Sequence, residues 1–308
     1  MNRLPISVLA HNIAPEIERV AATNAIDMQQ AVETRVVHHE IDLVCDPIPP
    51  RGPYADHSSR RVVLYESHLA FIWAYIYSNF VIFEQCIQAP MMTGVFDWKI
   101  KYERPLTRRA KLLQDWTVQF SKEYIPWNEE TLPNPRRQLD EEERSMCERA
   151  NQIYLTAVNF LFLHEYAHLA LKHDSRRDDK TWSLEQEKEA DNFAISCITP
   201  AFSTEKERHI AGLSIVLLSA SNLFLPKDLR GIWQSAHPHL HDRLRNALTS
   251  LNLQSAKSRY YLYHLGCICL QHWLGSNGLE PSRITEETAE DLFYEYLETI
   301  DKFPHDST

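Results

Sequence analysis

His164 and His168 stand four residues apart, with Glu165 directly after the first, in an H-E-x-x-H stretch inside the apolar segment Leu161–Leu171. On an α-helix, positions i and i+4 lie one above the other, so both imidazoles share a face about 6 Å apart along the axis. Nitrogens placed this way can close on one zinc ion at about 2.0–2.1 Å each. Glu165 projects about 100° further round the helix, where a carboxylate can act as general base on a zinc-bound water.

A catalytic zinc needs a third protein ligand and one open position. The downstream run EQEKEAD supplies Glu185, Glu187, Glu189 and Asp191. Glu187 and Asp191 are four apart and share one helix face. Glu187 is therefore the expected third ligand, and Asp191 the acceptor for the free ring nitrogen of a ligand histidine. Glu185 and Glu189 fall on other faces and read as solvated charges. This order of motifs on two helices is the pattern of the gluzincin metallopeptidases. In such a site the zinc lowers the pKa of its water from about 15.7 to about 7, roughly 12 kcal/mol of help in making hydroxide. Glu165 would accept the proton and pass it to the leaving amine. An oxyanion donor is then wanted, and AHPHLHDRL at 236–244 offers His237 and Arg243, with His239 and His241 in the same run. His-Pro followed by an arginine at this spacing recurs in gluzincins related to the CAAX-type peptidases. Histidines elsewhere (His38, His39, His173, His264, His272) read as structural or exposed.

These side chains need rigid helices to hold them. Asp140–Glu143 places carboxylates where a helix dipole favours them and should open a long helix reaching about Lys172. Ser183 with Gln186 makes a capping box for a helix over about Leu184–Ile198, stopped by Pro200. Thr204 with Glu207 caps the next, through Phe224. Further helices are expected near Pro238–Leu251, Ala256–Leu274 and Ile284–Phe303, with Asn277-Gly278 as a turn.

Upstream, a short helix is expected near Pro15–Ala31 and strands at Thr34–Val44 and Arg61–Tyr65, the latter two from their β-branched residues. Four prolines make Asp46–Arg60 an irregular loop in this reading. LAFIWAYIYSNFVIF, Leu69–Phe83, is about 15 residues with Ser78 and Asn79 inside, short of the roughly 20 of a membrane span. It reads as an aromatic core helix from about Ser67 to Ala89, and membrane association is not expected. A polar helix covers Pro105–Tyr124. The proline-broken Thr131–Gln138 separates an N-terminal region, 1–130, from a helical region, 139–308, packed together as one unit. The fold class is mainly α with a small N-terminal β-sheet (α+β).

Seven glycines in 308 residues disfavour a hairpin-rich all-β fold, and a formal charge of −10 disfavours broad nucleic-acid binding. The six cysteines form no C-x-x-C pair and read as buried free thiols in a reducing compartment. The N-terminal stretch shows no apolar core of an export signal, so a cytoplasmic location is expected.

Five blocks, IAPEIERV (13–20), SHLAFIWAYIYSNFVIFEQ (67–85), FLHEYAHLALKH (162–173), EQEKEADNFAI (185–195) and AHPHLHDRL (236–244), together resemble the Lit-type phage-exclusion peptidases, peptidase family U49. The zinc blocks are shared with many metallopeptidases, and the aromatic block narrows the match. The resemblance implies a zinc endopeptidase of the bacterial cytoplasm, with His164 and His168 as ligands and Glu165 as base. It also implies elongation factor Tu as target, cut in the presence of a phage-derived peptide activator, with phage exclusion as the outcome. Two other readings compete. One is a cytoplasmic metallopeptidase acting on a repressor or other regulator; no DNA-binding segment accompanies it here. The other is a non-catalytic module held together by zinc, disfavoured because structural sites use four protein ligands.

Overall fold

A computed structural model describes residues 4–23, 28–34, 36–38, 41–95, 100–173, 180–225, 240–279 and 289–302. A 3₁₀ turn, Pro5–Leu9, leads into α1 (Ala10–Thr23), and α2 (Met28–Glu33) follows. Three strands, β1 (Asp42–Val44), β2 (Tyr54–Asp56) and β3 (Arg61–Tyr65), precede α3 (Glu66–Phe83), which continues through a π-helical stretch, Glu84–Gln88, into α4 (Ala89–Met92). Then come α5 (Pro105–Phe120), α6 (Glu141–Ala170), α7 (Lys180–Ala201), α8 (Glu205–Asn222), α9 (Leu240–Ser250), α10 (Ala256–Ser276) and α11 (Ala289–Asp301). The molecule is mainly helical with one small sheet, as the composition and periodicity predict.

The aromatic run forms α3, and every one of its 18 residues is buried. The stretch Glu66–Met92 is long and apolar enough to cross a membrane, with an 18-residue window of mean hydropathy 1.2, yet 89% of that window is buried inside the protein. Trp73, Ser78 and Asn79 bond inside the protein, Ser78 to the Tyr75 carbonyl at 3.2 Å. Asn79 donates to the Tyr75 carbonyl at 2.9 Å and accepts from Gln114 of α5 at 3.0 Å, and Trp73 donates to Asn151 of α6 at 2.7 Å. A helix apolar on all sides and bonded to its neighbours in this way is a core element.

Helix α6 packs across α3 and carries the H-E-x-x-H stretch in its last two turns. Its start matches the dipole argument: Asp140 accepts from the Glu143 backbone N–H at 2.8 Å, and Glu141, Glu142 and Glu143 fill the first turn. Glu143 is itself buried and paired with Arg109 of α5 at 3.0 Å. The IAPEIERV block lies on α1 against α6, where Asn159 donates to the Glu16 carbonyl at 3.2 Å. Thr131–Gln138 is firmly packed: Leu132 and Asn134 are buried, and Arg136 bonds the Leu4 carbonyl and Ser7. One cluster of buried side chains runs from Leu4 to Ile300.

Several boundaries differ from the sequence reading for local reasons. Of the expected strand over Thr34–Val44, the described residues form one only at Asp42–Val44; Val36 and Val37 give their N–H groups to Ala31 at the end of α2, and His38 gives its own to Arg60. The loop over Asp46–Arg60 hides a strand. Tyr54–Asp56 pairs antiparallel with β3, while β1 pairs parallel with β3 on the other side, giving the order β1-β3-β2. Asp56 closes the hairpin by accepting from the Ser58 hydroxyl, the Ser59 hydroxyl and the Ser58 backbone N–H, which pull its pKa down to about 2, and Arg60 takes a left-handed φ of 57°. Helix α1 starts ahead of Pro15, which forfeits a single ladder bond inside it. Helix α7 starts at Lys180, a turn before the expected Ser183 cap, and keeps Pro200 in its last turn. The capping box of Thr204 and Glu207 forms on α8 as expected. Cys86, Cys147, Cys197, Cys267 and Cys269 are buried free thiols, and Cys45 is half-buried.

Candidate metal centre

The end of α6 meets the middle of α7 through small side chains. Ala190 and Ala194 are fully buried, so the two helices approach closely enough for short side chains on α7 to reach the imidazoles of α6. His164 Nε2 lies 3.2 Å from His168 Nε2 and 3.1 Å from Glu187 Oε2, and His168 Nε2 lies 3.4 Å from Glu187 Oε1. Ligand atoms about 2.0–2.1 Å from a tetrahedral centre are separated by about 3.3–3.4 Å, so these spacings are near the edges of one zinc coordination tetrahedron. Among the described residues, His164, His168 and Glu187 are the group able to hold a metal ion.

The far sides of the rings support the same reading. His164 Nδ1 contacts Asp191 Oδ1 at 3.0 Å, and an ionised carboxylate can only accept, so that ring nitrogen carries the proton. The Nε2 lone pair of His164 then points at other acceptors, an arrangement that calls for a proton or a cation between them. The titration behaviour expresses this demand. Burial works against the charged imidazole, but the carboxylates of Asp191 and Glu187 outweigh it and raise the His164 pKa to about 10. Burial likewise opposes ionisation of Asp191, and Arg243, then His164, overcome it and keep its pKa below the ordinary value.

Glu165 is 9% exposed, on the side of α6 that faces the sheet. Burial raises its pKa to about 7; His164 opposes the rise, Glu187 adds to it, and a backbone hydrogen bond from Ala55 of β2 holds it down. A carboxyl poised there changes charge near neutral pH, as a general base requires.

Of the two residues expected to stabilise an oxyanion, Arg243 stands behind the cluster on α9. It donates Nη2 to Asp191 Oδ1 at 2.6 Å, the same oxygen that His164 uses. His237 and His239 lie outside the described residues, and of His241 only its place in α9 is described.

Two participants escaped the sequence reading. His173 is buried, with Nδ1 2.9 Å from His168 Nδ1 and Nε2 3.0 Å from Glu189 Oε2. Glu189 is 64% exposed, as a solvated charge should be, yet it is engaged. Its sequence spacing from Glu187 places it off the ligand face, and only the reach of His173 connects it. The available signal was His173 itself, just past the helix end, where a C-cap folds the chain back on its last turn.

A family model described as Peptidase U49 matches residues 62–265, from β3 through the first half of α10. No curated protein and no solved structure matches the chain.

Proposed function

Because the chain belongs to the peptidase U49 family, and is thereby a peptidase, we propose that it is a zinc-dependent endopeptidase whose metal is held by His164, His168 and Glu187. The observation that carries this reading is the three-donor cluster with Glu165 buried alongside it. Two imidazoles and one carboxylate leave a coordination position open, the donor set of hydrolytic rather than structural zinc. When bound, zinc supplies Lewis acidity, bringing the pKa of a water to about 7 and polarising a carbonyl.

The protein's own residues do the rest. Asp191 fixes the ring of His164 and is itself held by Arg243. Glu165 takes the proton of the attacking water and returns it to the departing amine. The wall beside it is β2, which among the described residues has a strand partner on one side only; its Ala55 N–H bonds Glu165, and the rest of that edge is where an extended peptide would lie. Exposed Tyr54 on that strand supplies an apolar contact. His237, from the segment leading into α9, remains our candidate oxyanion donor, and Arg243 acts through Asp191.

Resemblance to the Lit-type peptidases supports a finer proposal: the substrate is elongation factor Tu, the activator a phage-derived peptide, the location the cytoplasm and the result phage exclusion. The test is to express wild type and Glu165→Gln during phage challenge and to compare host-protein termini. A new terminus in wild-type cells alone is expected. Equal protection by both forms would refute peptide hydrolysis as the activity.

A further inference from the structure

We propose that His173 and Glu189 are positioning residues that fix the ring and tautomer of His168 through a carboxylate–imidazole–imidazole relay. The inference rests on the reading of His164, His168 and Glu187 as the metal cluster.

The argument is one of proton accounting. His168 Nδ1 and His173 Nδ1 are 2.9 Å apart, so one proton lies between them. Suppose His173 donates it. Then His168 uses its Nδ1 lone pair and carries its own proton on Nε2, which faces His164 and Glu187 and could no longer ligate a cation. A neutral His173 would also turn a bare Nε2 toward Glu189 Oε2 at 3.0 Å, acceptor against acceptor, and a cationic one would still leave the His168 proton on Nε2. If His168 donates instead, both conflicts vanish. Its Nε2 becomes a lone pair aimed into the cluster, and His173 Nε2–H donates to Glu189. The carboxylate of Glu189 thus selects the metal-competent tautomer of a ring it never touches.

The chain builds this relay at the end of α6. Lys172 takes a left-handed φ of 57°, and the His173 N–H bonds the His168 carbonyl at 3.0 Å. That closure folds His173 back over His168, with ring centroids 4.9 Å apart and planes at 75°. Glu189 then arrives from α7, two residues beyond Glu187. The two histidine ligands are therefore served unequally. His164 has a direct, buried carboxylate partner, whereas His168 has an indirect one that ends at the surface. Outer-sphere partners of ligand histidines typically contribute about 10–100-fold to metal affinity.

The test titrates full-length, metal-free protein with Zn(II) against a competing chelator dye. His173→Ala should weaken zinc binding about 10-fold or more. Glu189→Ala should weaken it several-fold, with metal-free Tm unchanged because the side chain is exposed. Glu189→Gln, which keeps an acceptor oxygen, should lose less, and Glu185→Ala nothing. If Glu187→Ala loses zinc while His173→Ala and Glu189→Ala bind like Glu185→Ala, the relay is refuted and the metal centre stands. If wild type takes up no zinc, the metal centre fails. Histidine ¹⁵N spectra of the metal-free chain then decide the relay alone: the His168 Nδ1–H signal of wild type should be lost or mixed in Glu189→Ala, and an unchanged spectrum overturns it.

Discussion

Asp191→Asn isolates the charge on one oxygen while keeping size and shape. Oδ1 of Asp191 receives His164 Nδ1 at 3.0 Å and Arg243 Nη2 at 2.6 Å, and these side chains are 8%, 8% and 14% exposed. A bond to an ionised group contributes about 1.5–3 kcal/mol and a neutral one about 0.5–1.5. Removing the carboxylate charge from both bonds should therefore cost about 2–3 kcal/mol. With an unfolding entropy of about 2.1 cal/mol/K per residue, a chain of 308 residues loses about 3–5 °C in Tm for that change.

The pH dependence carries the sharper signature. Asp191 has a depressed folded pKa, so its stabilisation is present above the unfolded value and disappears as pH falls through the folded one. His164 has a raised folded pKa, so its share is complete below about 6.5 and is lost as pH rises through about 10. The gap between wild type and Asp191→Asn in metal-free thermal unfolding should be widest from about pH 4 to 6.5, closing toward acid and narrowing toward alkali. Zinc affinity should fall about 10–100-fold in parallel. A Tm gap that is absent, or as large at pH 3 as at pH 6, would refute the charge-paired role of Asp191.

Glu165→Gln should retain zinc, measured by metal analysis, and lose peptidase activity; normal activity would remove Glu165 from the base role. Glu187→Ala should lose zinc far more than Glu185→Ala, and equal losses would sink Glu187 as ligand. As the base must be ionised, kcat/KM should fall as pH drops through a pKa at or below about 7, since burial raises Glu165 and a bound cation pulls it back; a rate that rises with acid would contradict this. In the scaffold, Gly266→Ala would put a Cβ 2.3 Å from Phe293 Cε2, so it should destabilise by about 1–3 kcal/mol in denaturant unfolding.

The sequence by itself determined what local spacing can express. A helix repeats every 3.6 residues, so His164 and His168 had to share a face, as did Glu187 and Asp191, and the aromatic run around Trp73 had to be buried on all sides. Capping chemistry likewise determined the starts of α6 and α8, because Asp140 and Thr204 bond backbone groups only three residues away. What the tertiary structure decided is everything that depends on which elements meet. Val36 and Val37 look like strand residues but spend their N–H groups on the end of α2. Tyr54–Asp56 becomes a strand only because β3 lies beside it, and this sets a sheet edge against Glu165. Arg243 looked like an oxyanion donor from its motif, yet the crossing of α9 over α7 gives its Nη2 to Asp191. His173 and Glu189 are 16 residues apart in sequence and off the ligand face by periodicity, and a left-handed residue at the end of α6 brings them together. Periodicity reaches one helix at a time, and partnership across helices is a property of packing.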